Sequence, residues 1–180
     1  MKATSMLGFA AGGLGLLWLV AARPVARVRE PGIPEPEREP AAPLPGTPRA
    51  SSGFGWRSDP FTGRRTFHPG LDLPVPVGTP VYAPLPGEIV RIDRAGVGHG
   101  VINGNAVFLR SPDHVWVFLH LSVVAVSVGS TVQRGQMLGR SGQTGRATGP
   151  HLHVQVYDPS GQLVDPLSAY PHGTFAGRIA

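Results

Sequence analysis

The sequence predicts a mainly β domain, with antiparallel strands in a sheet or sandwich-like arrangement joined by Gly/Pro-rich loops. Short apolar segments recur along it, each bounded by glycine, proline, asparagine or aspartate, and turn signals return roughly every 8–15 residues. Beyond residue 22, no stretch keeps the 3.6-residue periodicity of a helix. The 25 glycines and 20 prolines among 180 residues also favour short strands with frequent turns.

The first 22 residues form a separate segment. Residues 6–22 are an apolar run of about 17 residues, near the minimum length for a membrane-spanning helix. Small residues at its end offer a cleavage point for a signal peptidase. Three arginines follow the run closely, whereas only Lys2 precedes it, which opposes a simple anchor with its start in the cytoplasm. Residues 1–22 are therefore expected to form an apolar helix, either a signal peptide or a membrane anchor through residues 6–22.

Residues 23–50 contain eight prolines and four glutamates, with few large apolar side chains. This composition predicts an extended, disordered linker that has no core of its own. At Ser51 the composition changes, because aromatic and apolar segments begin there. We therefore expect the folded domain over residues 51–171, followed by a tail over residues 172–180.

Composition and charge exclude several classes of protein. With 41% hydrophobic and 15% charged residues, the chain can bury a core and is not predicted to be disordered as a whole. The net charge of +5 suits an anionic polymer or membrane surface, but no cluster of basic residues and no known motif indicates nucleic-acid binding. Cysteine is absent, so any metal ion must be held by histidine, aspartate or glutamate.

Histidines occur in three strand-like contexts of the domain. In residues 151–157, His151 and His153 are two positions apart, and such residues project from the same face of a strand. About 80 residues upstream, His68 and Asp72 flank a Pro-Gly turn, and His120 ends another apolar run. The remaining histidines (His99, His114 and His172) fall in turns or in the tail and carry no functional prediction.

Together these residues predict a metal-dependent hydrolase site. Zinc accepts two imidazoles and one carboxylate while a fourth position stays open for water, and further imidazoles then serve in proton transfer or oxyanion stabilisation. Spacing alone leaves open whether His151, His153 or both bind the metal. It also leaves purely structural alternatives, in which His68 is a turn residue and His120 is a hydrogen-bonded core residue. The same ligand set suits iron(II) as well, although two surplus histidines argue against an oxygenase.

Collinear sequence blocks identify the domain more closely. They include His68-Pro69-Gly70-Leu71-Asp72 and His151-Leu152-His153, within residues 54–63, 67–73, 78–83, 119–122, 128–139, 141–153 and 165–166. In this order they resemble the M23 family of zinc metallopeptidases, the lysostaphin/LytM type that cleaves peptidoglycan peptides. The resemblance covers about residues 52–168, nearly the whole predicted domain.

The resemblance implies a largely antiparallel β fold with the site in a groove. It assigns one Zn²⁺ to His68, Asp72 and His153, and catalytic roles to the non-ligand His120 and His151. The implied function is a zinc endopeptidase that uses a zinc-activated water to cut peptidoglycan stem peptides or cross-bridges. The location would be the bacterial cell envelope, in the periplasm or at the cell surface.

The chain departs from the family pattern in a few places. Gln155 replaces a frequent glutamate, Phe118-Leu119 replaces the usual tyrosine and small residue before His120, and residues 94–105 match only loosely. An alternative function is an inert envelope module that binds or activates a partner cell-wall hydrolase. Inert relatives usually lack some of the five site residues, whereas all five are present here.

Overall fold

The structure is a computed structural model that describes residues 40–170 and residue 174. It confirms the predicted mainly β, antiparallel architecture. The predictions for residues 1–22, for most of the linker and for most of the tail lie outside the described residues. Within the described part, no helix is long and apolar enough to cross a membrane.

Twelve strands and two short helices make up the described chain. In chain order they are β1 Gly55–Ser58, β2 Arg65–His68, β3 Leu71–Pro74, β4 Pro80–Tyr82, β5 Gly87–Asp93, α1 Gly100–Asn103, β6 Asn105–Arg110, β7 Val115–Leu121, β8 Val123–Val124, β9 Thr131–Val132, β10 Met137–Arg140, β11 His151–Tyr157, β12 Leu163–Val164 and α2 Pro166–Ala169.

A seven-stranded sheet forms the body of the domain, in the order β12-β11-β7-β6-β5-β9, with β3 paired to β11 as well. Both faces of the central strand β7 are covered. Trp116 and Phe118 lie in the main core, whereas Val117 and Leu119 pack in a smaller cluster. The indole of Trp116 is fully buried and donates a hydrogen bond to Ser111 Oγ at 3.0 Å. Such buried aromatic residues contribute most of the packing energy of a small core.

Two smaller sheets complete the architecture. The three-stranded sheet β4-β10-β8 adds Val81 and Leu138, both fully buried, to the same core cluster as the large sheet. The hairpin β1-β2 forms a separate two-stranded sheet. One of its residues, His68 at the end of β2, is buried although its neighbour Phe67 is 40% exposed, as the alternation of a strand requires.

The end of the predicted linker belongs to the folded domain. Leu44 and Ala50 are buried in the main core, and the chain pairs with β4 through bonds from Tyr82 N to Pro43 O (2.9 Å) and from Ala41 N to Pro84 O (2.8 Å). The last residues of the predicted linker therefore pack on the domain that the sequence analysis begins at Ser51. An extended proline-rich chain keeps its carbonyl acceptors, and this segment also buries the side chains of Leu44 and Ala50.

Short helices are the other difference from the sequence prediction. Helix α1 lies in the loosely matching segment 94–105, and α2 follows Asp165, whose side chain caps it by accepting a hydrogen bond from Leu167 N at 2.9 Å. Each helix has only four residues, too few for a periodic pattern to reveal.

Candidate metal centre

Strand register brings the carboxylate and one imidazole face to face. In the antiparallel pair β3-β11, Asp72 lies directly opposite His153, and β11 pairs on its other side with β7. Directly opposite residues of a strand pair have Cβ atoms about 4.5–5.5 Å apart. Backbone pairing alone therefore fixes the separation of these two groups.

The turn between His68 and Asp72 needs glycine for a steric reason. A Cβ atom at Gly70 would lie 2.3 Å from Val154 O and 2.6 Å from His153 Nε2. The backbone of the turn therefore packs directly on the strand that carries His153. This close approach brings His68, at the end of β2, to the same point as the β3-β11 pair.

Three polar atoms converge within hydrogen-bonding range of one another. Asp72 Oδ1 lies 2.7 Å from His153 Nδ1 and 3.3 Å from His68 Nε2, and these two ring nitrogens are 3.2 Å apart. All three residues are buried, and their ligand atoms lie within 4.8 Å of one another. One metal ion can bond to all of them, so the donor set and its geometry fit zinc.

A second trio shares His153 with the first. His120, His151 and His153 also place one nitrogen each within the same 4.8 Å limit. The rings of His120 and His151 are 4.7 Å apart between centroids, and His151 Nε2 is 3.5 Å from Asp72 Oδ1. All five histidine and aspartate residues predicted from the sequence are thus gathered at one place.

Backbone carbonyls orient three of the imidazoles. The Nδ1 atoms of His68, His120 and His151 lie 2.6, 2.8 and 2.8 Å from the carbonyl oxygens of Gly53, Thr144 and Gly149, respectively. A carbonyl only accepts, so each Nδ1 carries the proton. Each Nε2 consequently presents its lone pair, as a metal ligand or a proton acceptor must.

His120 has an unusual backbone conformation. Its φ of 64° makes it the one non-glycine residue with a positive φ in the described part of the chain. Most side chains avoid this left-handed region, and such residues cluster at functional sites. Thr144 supports this conformation through two hydrogen bonds. Its carbonyl accepts from the His120 ring, and its amide donates to His120 O at 3.4 Å.

Burial and hydrogen bonding set the protonation states. Burial lowers the pKa of His120 to about 4 and also lowers the pKa of His153. For Asp72, burial opposes ionisation, but the interactions of the carboxylate with His153 and His68 outweigh it and hold the pKa well below its usual value. At neutral pH these groups are therefore neutral imidazoles and an anionic carboxylate, the forms that bind metal ions.

The five residues lie along a groove of about 400 Å³. We call His68, Asp72, His120, His151 and His153 the floor of this groove. We call Asp59, Pro60, Phe61, Ile102 and Arg146 its rim. Across the rim, Arg146 Nη2 lies 3.0 and 3.1 Å from the two carboxylate oxygens of Asp59, and its guanidinium stacks 4.4 Å from the ring centroid of Phe61.

Several residues that contact the floor were not predicted from the sequence. Arg57 Nη1 lies 3.2 Å from Asp72 Oδ2, and Thr144 holds His120. Gln155 places its amide nitrogen 3.0 Å from His153 Nε2, and its amide oxygen accepts from Tyr157 OH at 3.2 Å. Only Gln155 had a visible signal, since it is two positions from His153 on the same face of β11.

An antiparallel β fold with buried histidines and an aspartate at the floor of a groove defines a metallohydrolase-type protein. Comparison with known proteins identifies the family. The sequence model of peptidase family M23 matches residues 66–166, so the chain belongs to this family. Zinc is the metal of M23 peptidases, and the histidine/aspartate cluster is able to hold it.

Named relatives and solved structures agree. The chain is 40% identical over 121 residues to the DD-carboxypeptidase/endopeptidase Mpg of Neisseria meningitidis serogroup B, covering 67% of this chain and 26% of the relative. A zinc-containing peptidase from Vibrio cholerae superposes with a TM-score of 0.65 at 34% identity, covering 75% of this chain and 41% of that one. The catalytic domain of lysostaphin from Staphylococcus simulans gives a TM-score of 0.59 at 33% identity, covering 67% and 90%.

The length of the relatives differs from that of this chain. The chain spans about a quarter of the curated relatives it matches, 28% and 26% of the first two. By contrast, it covers 90% of the isolated lysostaphin catalytic domain. The matched part of the chain thus corresponds in extent to that catalytic domain.

Proposed function

We propose that the chain is a zinc-dependent endopeptidase that hydrolyses peptide bonds in peptidoglycan stem peptides or cross-bridges. The observation that carries this proposal is the convergence of His68, Asp72 and His153 beside two further oriented imidazoles. Relatives named as peptidoglycan DD-endopeptidases, such as ShyA of Vibrio cholerae, support the substrate class.

We assign the metal to His68, Asp72 and His153 for reasons of charge and burial. This trio includes a carboxylate, whose negative charge partly neutralises a divalent cation, and all three residues are buried. The alternative trio contains only imidazoles and no carboxylate, and one of them, His151, is less buried. Zinc bound at the first trio would supply Lewis acidity, which activates water and polarises a carbonyl group.

His120 and His151 are then free for proton transfer and hydrogen bonding. Because their Nδ1 atoms are tied to backbone carbonyls, their Nε2 atoms are the groups available to the substrate. A neutral Nε2 accepts a proton from attacking water, and the resulting imidazolium donates to an oxyanion or to the leaving amine. The lowered pKa of His120 keeps that residue in the accepting form at neutral pH.

The proposed location follows from the first residues and from the substrate. Under this proposal, residues 1–22 are a signal peptide or membrane anchor, the proline-rich residues after them lead into the peptidase domain, and the catalytic part acts on the outer side of the cytoplasmic membrane. Sequencing the N-terminus of the protein from cell envelopes tests this. A start near residue 23 indicates a cleaved signal, a start at Met1 in the membrane fraction indicates an anchor, and cytoplasmic protein contradicts both.

The full chain incubated with purified sacculi of different cross-link types tests the activity. We expect soluble muropeptides whose masses identify the bond cut, their loss with a chelator and their return with added zinc. The variant His151→Ala should release about 10²-fold less or lower still, whereas His114→Ala removes a turn histidine away from the groove and should act like the wild type. Zinc-loaded protein that cuts no sacculus would contradict the proposal and favour a module that binds a partner hydrolase.

A further inference from the structure

The two oxygens of Asp72 face different partners. Oδ1 points toward the ring nitrogens of His68, His151 and His153, at 2.7–3.5 Å. Oδ2 instead accepts a hydrogen bond from Arg57 Nη1 at 3.2 Å. Only Oδ1 is therefore directed to the place where the imidazoles converge.

The hairpin β1-β2 explains how Arg57 reaches this carboxylate. Its register pairs Arg57 with Thr66 and Gly55 with His68, so Arg57 and His68 project from the same face of the hairpin. Arg57 thus approaches Asp72 from the strand next to the one that carries His68.

The segment before β1 completes the support. Ser51 N donates to Asp72 O and Asp72 N donates to Ser52 O, both at 2.9 Å, so the main chain on each side of the aspartate is paired. Ser52 Oγ also accepts from Arg57 Nη1. Although the Arg57 side chain is 31% exposed, its Nε atom is buried, which shows that the guanidinium is seated against the protein.

We propose that Arg57 is a positioning residue that keeps Asp72 a one-oxygen ligand of zinc. The inference rests on the proposed metal assignment. A guanidinium on Oδ2 fixes the rotation of the carboxylate and competes with the metal for that oxygen. If both oxygens bound zinc, the second would occupy the open position that water and substrate need. Arg57 lies in the block 54–63 that resembles the family, but upstream of residues 66–166, which the sequence model of the family matches.

The chain offers a matched control on the same hairpin. Arg65 lies on the opposite, exposed face of β2, and its guanidinium stacks 4.9 Å from the Trp56 ring. Arg57→Met and Arg65→Met therefore remove the same charge from neighbouring strands, but only the first removes a contact with Asp72. Arg57→Lys keeps the charge while it loses the planar fork.

Zinc affinity, measured in the full chain by competition with a chromophoric chelator, provides the first readout. We expect Arg57→Met to bind zinc about 10–100-fold more weakly, as is typical when a group that orients a ligand is lost. Arg57→Lys should recover part of the affinity, and Arg65→Met should match the wild type. Equal zinc affinity in Arg57→Met and the wild type would overturn the inference.

The visible spectrum of the cobalt(II)-substituted protein provides a second readout, which a merely structural role would not change. Cobalt absorbs strongly in a four-coordinate site and weakly when a fifth ligand atom binds. We expect weaker absorption in Arg57→Met, because Oδ2 becomes free to bind the metal, and an unchanged spectrum in Arg65→Met. Identical spectra for Arg57→Met and the wild type would overturn the one-oxygen assignment.

Two further comparisons keep the outcomes distinct. Asp72→Ala with undiminished zinc affinity would contradict the metal assignment itself, whereas zinc loss in Asp72→Ala but not in Arg57→Met contradicts only the role of Arg57. Thermal unfolding of the metal-free variants shows whether they fold. If Arg57→Met does not, Arg57→Lys decides: weaker zinc binding with an intact fold supports the inference, and wild-type binding with a wild-type cobalt spectrum overturns it.

Discussion

The floor and the rim of the groove are held together by different kinds of interaction. The floor residues lie on or beside paired strands, with Asp72 directly opposite His153, and backbone carbonyls fix three of the imidazoles. The rim depends on one exposed ion pair between Asp59 and Arg146, which are 87 positions apart in the sequence. The floor is therefore positioned by strand pairing and backbone hydrogen bonds, whereas the two sides of the rim are joined by a side-chain ion pair.

This difference implies different energetic roles. Removing one partner of a buried, hydrogen-bonded charge costs about 3–5 kcal/mol, because the other is left unpaired. An exposed ion pair contributes only about 0–1 kcal/mol. Substitutions in the floor should consequently abolish metal binding or chemistry, while substitutions in the rim should change how substrate binds.

The largest effect is expected for the metal ligands. His153→Ala and Asp72→Ala should each reduce zinc affinity by more than about 100-fold, beyond the loss seen for an outer partner, and activity should fall to background with it. Metal analysis and sacculus digestion on the same samples check this. Activity that survives in a variant without zinc would show that the floor does not act through a bound metal, and would contradict the distinction between floor and rim.

The other two floor histidines should separate chemistry from metal binding. His120→Ala and His151→Ala are expected to retain zinc while turnover falls about 10²-fold or more, because a proton-transfer or oxyanion-binding group is lost. Turnover measured at matched zinc content gives the result. Near-normal turnover in both variants would refute their catalytic roles, and zinc loss would place them among the ligands.

Acid should destabilise the floor in the metal-free protein. Since burial lowers the pKa of His120 to about 4 from 6.5, protons bind the unfolded chain more tightly, and stability should fall as pH drops through this interval. The full shift corresponds to about 3 kcal/mol. Denaturant unfolding at several pH values should show that the free energy of unfolding falls less steeply with acid in His120→Asn than in the wild type. Asparagine is chosen because it tolerates positive φ. Equal pH slopes in both proteins would contradict the pKa shift.

The smallest effect is expected at the rim. Asp59→Asn and Arg146→Gln should raise KM by up to about fivefold, the equivalent of a surface ion pair, without changing kcat or zinc content. The double variant should be no worse than either single one, since both remove the same contact. A fall in kcat or in zinc content would show that the rim ion pair supports the floor.

The sequence predicted the floor more completely than its surroundings. Alternating strands and the spacing of His151 and His153 are local patterns. His68, Asp72 and His120 were also candidates from their sequence context, and the family resemblance assigned a role to each. Arg57 and Leu44 could not be assigned in this way, because their contacts depend on how distant segments dock. From sequence alone, a single leucine among prolines or an arginine on a hairpin is predicted to be exposed, because the element that covers it is not visible in the local pattern.

The assignment of the metal to one of two overlapping trios is the central claim, and anomalous diffraction at the zinc edge from crystals of the full chain tests it most directly. We expect a single peak at bonding distance, about 2.0–2.2 Å, from His68 Nε2, His153 Nδ1 and one oxygen of Asp72. A peak bonded to His120, His151 and His153 instead would contradict the account.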